Sequence, residues 1–519
     1  SGKTRVLTER LRHLLDDRGW EPGVVSALAY NTRAADELRE RTQDLGAHIR
    51  TLNSLGLAIT NGTGGFLAPA GRPRRQVIEE PQVRAVLDRL IQLPRLPNTD
   101  PHVPYLEGLR AVRLALRDPG QVESELEAPG LAELFSRYRR LLADERLVDF
   151  DGQLYEALEV LLTDHDARVA AQGLARHLLV DELQDLTPAH MLVLRLLAAP
   201  GYDVFGVGDD DQVIYGFAGA TPELLLGFDR YFPGASHYTL EVNYRCPPAV
   251  VQAAGHVLSY NDRRIAKLTR AAPGRSGTEG ELVVRRVDEL GEAAEAAAAI
   301  QAWREEGAAL QDVAVLARVN AALLPLQVLC VERGIPSRRP LDAAILARTG
   351  IRCALAYLRI GGDPGRIQAG DLTETIRRPS RRISRRVVDM LTRRGATSLV
   401  DIRRLTGRLT GSDAPRLLEY AADLDLVVAA VGTGEVRAAL SAVRVEVGLG
   451  QAMDVLDGVR REAERSTHAD DLTALEQVAA LHPDPASFEP WLRGVLDRRD
   501  AAEAGVELST IHRRTRRLA

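Results

Sequence analysis

The chain has 519 residues, of which 45% are hydrophobic and 27% are charged, and its formal net charge is −5. This length predicts several domains, because single hydrophobic cores stop growing at about 250–300 residues, and the composition is typical of a soluble globular protein. No apolar run approaches the roughly 18 residues that a membrane-spanning helix needs, so we expect no membrane contact and a cytoplasmic location. The cysteines and histidines are scattered, which argues against a disulfide framework and a structural zinc site.

Lysine is almost absent from the chain. Arginine supplies 65 of the 67 basic residues, and the two lysines are Lys3 and Lys267. Lys3 lies in Ser1-Gly2-Lys3-Thr4, which matches the second half of the phosphate-binding loop G-x-x-x-x-G-K-[ST]. A compact ammonium reaches the β- and γ-phosphates of ATP where a planar guanidinium does not. We therefore expect Lys3 to bind phosphate and the Thr4 hydroxyl to bind Mg²⁺.

The first part of the chain predicts an α/β core that is interrupted by helices. The elements predicted up to residue 171 are a helix over 6–15, a strand over 24–30, a helix over 33–41, a Gly- and Pro-rich loop over 62–75 and a proline-broken helical stretch over 79–171. Apolar strands over 177–181 and 203–207 then end in carboxylates and amides. The carboxyl ends of parallel strands line the crevice in which open α/β sheets bind ligands, so we expect a ligand site there.

The rest of the chain predicts a second α/β core with its own helical insertion. Its predicted elements are a polar connector over 261–280, a strand over 281–287, a helix over 292–305, a strand over 312–317, a helical stretch over 345–498 and a strand over 506–511. A run of arginines between 377 and 394 is a candidate phosphate-contacting patch.

Three short motifs carry side chains suited to ATP hydrolysis. Asp181 and Glu182 close an apolar strand, where a carboxylate can hold Mg²⁺ and its neighbour can polarise the attacking water. Gln212 ends a Gly-Asp-Asp-Asp run, and its amide can sense the γ-phosphate. Tyr244 and Arg245 place a ring that can stack on a base beside a guanidinium that can neutralise the transferring phosphoryl group.

Read in order, these motifs resemble those of the UvrD/Rep/PcrA family of superfamily-one DNA helicases. The matching segments are 1–5, 29–38, 49–55, 181–185, 208–220, 240–245 and 313–338, and 506–513 is similar to the start of a further motif. The Arg- and Ala-rich composition favours an actinobacterial-type member. The resemblance implies ATP- and Mg²⁺-dependent 3′-to-5′ travel on single-stranded DNA and unwinding at single-strand/duplex junctions. It also implies a role in DNA repair or replication, repair-protein partners and a nucleoid-associated location in the cytoplasm.

The resemblance implies two RecA-like P-loop cores with parallel sheets, each carrying a mainly helical inserted subdomain, with ATP between them. We expect residues 1–65 and 175–245 to form the first core, 66–174 its insertion, 246–344 and 500–519 the second core, and 345–499 its insertion.

The resemblance also assigns roles to single residues. For the nucleotide it implies contacts from Ser1, Gly2, Lys3, Thr4, Arg5, Gln212, Tyr244 and Arg245, metal binding by Thr4 and Asp181, and catalysis by Lys3, Glu182, Gln212 and Arg245. For DNA it implies Tyr30, Thr51, Tyr215, Phe217 and Asn320, and the arginine run adds Arg381 and Arg382. Aromatic rings on a DNA track grip any base, because stacking does not read sequence.

Several positions depart from the family pattern. Phe217 stands where the family has an arginine-flanked tryptophan, residues 51–54 lack the usual aromatic and imidazole, and residues 379–384 lack glycines whose amides would bind duplex phosphate. The first half of the phosphate loop and the motif after residue 513 are absent. We expect a fragment truncated at both ends that binds single-stranded DNA but hydrolyses little ATP. The alternatives are a RecB- or AddA-like helicase–nuclease subunit and a single-strand-binding fragment without ATPase activity.

Overall fold

A computed structural model describes residues 2–93, 100–213, 216, 219–273, 282–288, 290–458, 466–498 and 504–510. The described chain forms two compact units, the first of residues 2–93 and 101–283, and the second of residue 100 and the residues from 284 onward. Among these residues, no helix combines the length and the apolar character needed to cross a bilayer.

The first unit is an α/β structure. Its strands are β1 (Val25–Ala29), β2 (His48–Thr51), β3 (Gln76–Ile78), β4 (Leu147–Asp149), β5 (His177–Val180), β6 (Val204–Gly206), β7 (Val242–Asn243) and β8 (Arg270–Ala271). Its helices are α1 (Lys3–Arg12), α2 (Thr32–Arg41), α3 (Leu52–Asn61), α4 (Glu80–Leu90), α5 (Val103–Leu114), α6 (Pro119–Glu125), α7 (Leu131–Asp144), α8 (Phe150–Thr163), α9 (His165–Leu174), α10 (Pro188–Ala198), α11 (Glu223–Leu226), α12 (Phe228–Tyr231) and α13 (Pro248–Leu258).

A four-stranded parallel sheet forms the centre of this unit, with the strand order β2-β1-β5-β6. Strands β1 and β5 are buried along their whole length, as expected for a parallel sheet covered on both faces. Leu7 and Leu11 of α1 pack with Val25 on one face. Leu55 of α3 and Leu154 of α8 belong to the cluster on the other face. Two of the predicted apolar runs therefore form the central strands β1 and β5, the run over 203–207 forms the edge strand β6, and their carboxyl ends share one edge of the sheet.

The predicted helical stretch over 79–171 is confirmed by α4 to α9, and strand β4 among them pairs in parallel with β3, which precedes α4. Leu87, Leu109 and Tyr138 belong to a separate hydrophobic cluster of these helices. Arg113 and Asp149 form a buried ion pair in the same region. Helices α4 to α7 thus have their own core, whereas α8 and α9 are buried in the cluster on the central sheet.

The second unit is also α/β. Its strands are β9 (Ala314–Ala317), β10 (Ser337–Arg338), β11 (Ile367–Gln368), β12 (Ala396–Thr397) and β13 (Val506–Thr510). Its helices are α14 (Glu292–Glu305), α15 (Leu324–Glu332), α16 (Thr349–Gly362), α17 (Ala369–Thr375), α18 (Arg385–Thr392), α19 (Leu399–Thr406), α20 (Asp413–Val431), α21 (Val436–Val445), α22 (Leu449–Gly458), α23 (His468–Ala479) and α24 (Phe488–Asp497). A parallel sheet of order β10-β13-β9 joins strands from opposite ends of this unit. The α/β fold class with parallel sheets and many helices is therefore confirmed.

One predicted strand is wrong. Residues 282–287 form no regular element, although their valines favour strands. No described strand pairs with them, and the Val284 side chain is 85% exposed. Arg285 forms an ion pair with Glu295 of α14. Valine preference alone does not make a strand where no neighbouring strand accepts its backbone hydrogen bonds.

The connector predicted over 261–280 is ordered in its described first half. Strand β8 pairs with β7 in parallel, with Asn243 opposite Ala271, and the Lys267 side chain is only 14% exposed. The first compact unit therefore continues past residue 245, where we predicted the first core to end.

Candidate functional site

Several of the predicted site residues of the first unit lie at the carboxyl edge of its four-stranded parallel sheet. Asp181 and Glu182 directly follow β5, and Gly208 lies two residues after the end of β6. Gly2 is the N-cap of α1, so Lys3 is the first residue of that helix. The free amides of a helix N-terminus form a ready-made site for phosphate.

Lys3 and Glu182 are joined directly. The Lys3 ammonium donates to the Glu182 carboxylate, with 2.6 Å between Nζ and Oε2, and the two side chains are 11% and 34% exposed. Glu182 has a left-handed backbone, with φ of 50°, a conformation that costs a non-glycine residue about 1–3 kcal/mol and is common at active sites. The Glu182 side chain in this conformation accepts from Lys3 and Gln184 on Oε2.

Asp181 is a buried carboxylate next to a second one. Burial, and then the charge of Glu182, raise its pKa to about 6, against a lowering contribution from Lys3. Its Oδ1 accepts a hydrogen bond of 3.0 Å from the Glu182 amide. A divalent cation would offset both effects that raise this pKa. Thr4, the second residue of α1, would offer a hydroxyl oxygen in addition to the Asp181 carboxylate. Both groups are hard oxygen ligands, which fit Mg²⁺.

A chain of hydrogen bonds connects Glu182 to Gln212. The Gln184 side-chain amide donates to Glu182 Oε2 at 2.9 Å, and Gln184 Oε1 accepts from the Asp209 backbone amide at 2.9 Å. Gln212 Nε2 then donates to Asp209 Oδ2 at 2.6 Å. The predicted phosphate lysine, general base and γ-phosphate sensor are therefore linked through two intermediate residues.

Our sequence-based interpretation missed Gln184 and Lys267 as residues of this site. Gln184 was visible as part of the same five-residue acidic motif, two positions after Glu182. Lys267 contacts the carboxylates of Asp209, Asp210 and Asp211 at 2.6, 2.6 and 3.0 Å. The scarcity of lysine that pointed to Lys3 applied equally to Lys267.

Tyr244 and Arg245 follow β7 and are exposed, Tyr244 by 64%. The Asn243 side-chain oxygen accepts from the amides of Arg245 and Cys246 at 2.9 and 3.0 Å, which fixes the turn that presents them. An exposed ring beside an exposed guanidinium is suited to stacking on a base and to contacting phosphate.

The residues predicted to contact DNA differ in their burial and in their hydrogen bonds. Tyr30 is partly buried, with its ring 6.4 Å from that of His190, and the Thr51 hydroxyl caps α3 by accepting from the Ser54 amide at 3.1 Å. In the second unit, Asn320 begins a short 3₁₀ turn, and its Oδ1 is buried without a hydrogen-bond partner among the described residues. Three of the predicted site residues lie outside the described residues, namely Ser1, Tyr215 and Phe217.

Arg381 does not have the exposure that a DNA phosphate contact requires, so we correct its assignment. Its side chain is 3% exposed and forms an ion pair with Asp423. The guanidinium also lies 5.1 Å from the Tyr420 ring and donates to the Pro379 carbonyl at 3.0 Å. Its charge is therefore used inside the second unit. Arg382, the next residue, is exposed.

This difference predicts opposite phenotypes for two neighbouring arginines. Arg381→Met leaves the half-buried Asp423 carboxylate unpaired, so we expect the free energy of unfolding to fall by about 3–5 kcal/mol. Arg382→Ala should leave unfolding unchanged and reduce the salt dependence of duplex binding by about one unit of slope. Urea unfolding followed by circular dichroism, and duplex titrations at several salt concentrations, measure the two effects. Equal behaviour of the two variants in both assays would contradict the assignment.

Comparisons with known proteins match most of the chain. The family model described as the UvrD/REP helicase N-terminal domain matches residues 1–233, and that described as the UvrD-like helicase C-terminal domain matches residues 238–406. A relative named ATP-dependent DNA helicase PcrA, from Leuconostoc citreum, is 28% identical over 79% of this chain and 54% of its own length. A PcrA from Staphylococcus aureus is 27% identical over 69% of this chain and 50% of its own length.

A third relative, named putative ATP-dependent DNA helicase YjcD, from Bacillus subtilis, is 28% identical over 69% of this chain and 48% of its own length. The chain therefore spans about half the length of the curated relatives that it matches.

Proposed function

Because the chain belongs to the UvrD/Rep/PcrA family of superfamily-one DNA helicases, we propose that it hydrolyses ATP to travel 3′-to-5′ along single-stranded DNA and to open duplexes. The observation that supports this most strongly is the contact chain from Lys3 through Glu182 and Gln184 to Asp209 and Gln212. Such a chain connects the groups that would bind, hydrolyse and sense the γ-phosphate.

In the proposed reaction, the N-terminus of α1 and the Lys3 ammonium bind the ATP phosphates. Glu182 orients and polarises the attacking water as a general base. Mg²⁺, when held by Thr4 and Asp181, supplies positive charge that offsets the charge on the phosphates. Lys3 already pairs with Glu182, so the ATP phosphates and the Glu182 carboxylate would contact the same ammonium. Phosphate binding is thereby linked to the position of Glu182, the general base.

Gln212 and Arg245 complete the proposed reaction centre. The Gln212 amide is exposed at the end of its bonds to Asp209 and reports whether a γ-phosphate is present. The exposed Arg245 guanidinium neutralises the phosphoryl group in transfer, as arginines do in other phosphoryl-transfer NTPases. Tyr244 stacks on the adenine base.

We propose that the protein moves along DNA and binds it independently of base sequence. Tyr30, Tyr215, Phe217 and Asn320, with Thr51, are the proposed single-strand contacts, and Arg382 with its exposed arginine neighbours contacts duplex phosphate at junctions. Stacking on rings holds any base, whereas arginines add an electrostatic contribution that salt weakens. We propose that this activity occurs at the nucleoid and serves DNA repair or replication. Repair proteins are the proposed partners.

DNA-stimulated ATP hydrolysis is the experiment that tests the proposal. It is measured on this chain and on the extended protein, meaning the chain together with whatever its coding sequence encodes on either side. We expect single-stranded DNA to stimulate hydrolysis in the extended protein. Hydrolysis that is indifferent to DNA would contradict the proposal.

The salt dependence of DNA binding distinguishes a stacking contact from a phosphate contact. Phe217→Ala should weaken single-strand binding by about 1–3 kcal/mol, because a base loses its stacking partner. The slope of log affinity against log salt should stay unchanged, because no phosphate contact is removed. Fluorescence anisotropy with oligonucleotides of two base compositions measures both quantities. A change confined to the salt slope would show that Phe217 does not stack on DNA.

A further inference from the structure

The second lysine of the chain is bound to three consecutive carboxylates. Lys267 Nζ lies 2.6 Å from Asp209 Oδ1, 2.6 Å from Asp210 Oδ1 and 3.0 Å from Asp211 Oδ2. Burial opposes the ionised forms of these groups, yet the bonds to the carboxylates raise the pKa of Lys267, and those from Lys267 hold the pKa of Asp209 below its ordinary value. Lys267 is thus a charged, largely buried centre of contacts.

The geometry explains why lysine stands here in a chain that otherwise uses arginine. A tetrahedral ammonium has three N–H donors on one atom, so it can bond to three oxygens that converge on one point. A guanidinium spreads its donors over a plane and suits a two-oxygen fork. Arg264 also contacts Asp211 Oδ2, at 2.8 Å, and the Ile265 amide donates to Asp210 Oδ2 at 2.6 Å.

The three carboxylates lie in the loop that positions Gln212. Asp209 accepts from Lys267 on Oδ1 and from the Gln212 amide on Oδ2, at 2.6 Å in each case. Its backbone amide donates to Gln184, which in turn donates to Glu182. Lys267 therefore lies at one end of a contact chain whose other end is Lys3, and both lysines of the protein belong to it.

The Lys267 segment also supports the strand before Arg245. Three residues after Lys267, β8 pairs with β7, where the Arg270 amide donates to the Glu241 carbonyl at 2.8 Å and the Ala272 amide to the Asn243 carbonyl at 3.0 Å. One short segment thus contacts both the loop that carries Gln212 and the strand that leads to Arg245.

We propose that Lys267 is a positioning residue for ATP hydrolysis, which holds the Asp209–Asp211 loop so that Gln212 and Glu182 keep their places at the γ-phosphate. The inference rests on the proposed function. Lys267 acts through Asp209 and does not touch the nucleotide. Its replacement therefore slows turnover without weakening ATP binding.

The test compares Lys267→Arg, Lys267→Met and the control Arg263→Gln in the extended protein. Arg263 lies four residues before Lys267, with a side chain that is 75% exposed and paired with Glu223. We expect both Lys267 variants to lose about 10- to 100-fold in DNA-stimulated kcat, the scale for misplacing a reacting group by about 1 Å. ATP Kd and the thermal midpoint of Lys267→Arg should stay at the wild-type values, and Arg263→Gln should match the wild type throughout.

A double-mutant cycle with Gln212→Ala separates positioning from a merely structural role. If Lys267 acts through Gln212, adding Lys267→Arg to Gln212→Ala lowers kcat little further. Full kcat in Lys267→Arg, a loss of kcat that only parallels a loss of thermal stability, or additive losses in the cycle would each overturn the inference. Absence of DNA-stimulated hydrolysis in the wild type and in Arg263→Gln would instead overturn the proposed function.

Discussion

Replacing Glu182 by glutamine lowers ATP turnover by about 10²-fold or more, the usual loss for a missing general base, while ATP still binds. Glutamine keeps the size of the side chain and an oxygen that can accept from Lys3 and Gln184, which both contact Glu182 Oε2. What is lost is the negative charge that polarises water. The expected change is therefore in kcat, with little change in the affinity for ATP.

Single-turnover hydrolysis and equilibrium binding of a fluorescent ATP analogue separate these two quantities for Glu182→Gln. Glu9→Gln is the matched control, because it makes the same chemical change at an exposed position of α1. A Glu182→Gln protein that no longer binds Mg²⁺–ATP would assign the carboxylate to metal binding and not to proton transfer.

Replacing Lys3 by alanine abolishes DNA-stimulated ATP hydrolysis in the extended protein, and replacing it by arginine is nearly as damaging. Lys3 is 11% exposed at the start of α1 and lies 2.6 Å from Glu182, so there is little room for a broader head group. A guanidinium can pair with Glu182, but its planar fork does not fit a site shaped for a compact ammonium. Both variants should stay folded, because Lys3 is not part of the hydrophobic core around α1.

The readouts for the Lys3 variants are ATP Kd, kcat and the thermal midpoint. Lys3→Ala should weaken ATP binding as well as turnover, unlike Glu182→Gln, because it removes charge that binds phosphate in the ground state. Near-normal turnover in Lys3→Arg would refute the reasoning from lysine scarcity, and would remove the same support from the Lys267 proposal.

Local sequence signals predicted the elements of the fold well. Helix α14 occupies residues 292–305 as predicted, because an alanine-rich run of strong helix formers needs no distant partner to choose its conformation. The apolar run before Asp181 forms β5, which is buried along its whole length, and the run before Gly208 forms β6, a partly buried strand at the edge of the same parallel sheet. The strand prediction for residues 282–287 was wrong, since a strand also requires a neighbouring strand that the local sequence does not specify.

The site was predictable where its residues are close in sequence, and not where they meet through the fold. The acidic pair and the Gln212 loop were found from short motifs. Lys267 contacts a loop that lies 58 residues earlier in the chain, and no local pattern announces such a pairing. Arg381 and Arg382 are chemically identical neighbours, yet one is buried against Asp423 and the other is exposed. Composition gives no means of telling which arginine turns inward.

The most direct test of the central claim is the rate of ATP hydrolysis by the extended protein, with and without single-stranded DNA, beside its Glu182→Gln variant. The proposed function predicts that DNA strongly stimulates hydrolysis by the wild type. The contact chain from Lys3 through Glu182 to Gln212 predicts that the Glu182→Gln variant binds ATP equally well but is hardly stimulated. Equal hydrolysis rates in the two proteins in the presence of DNA would contradict the claim that this chain of contacts is the centre of ATP hydrolysis.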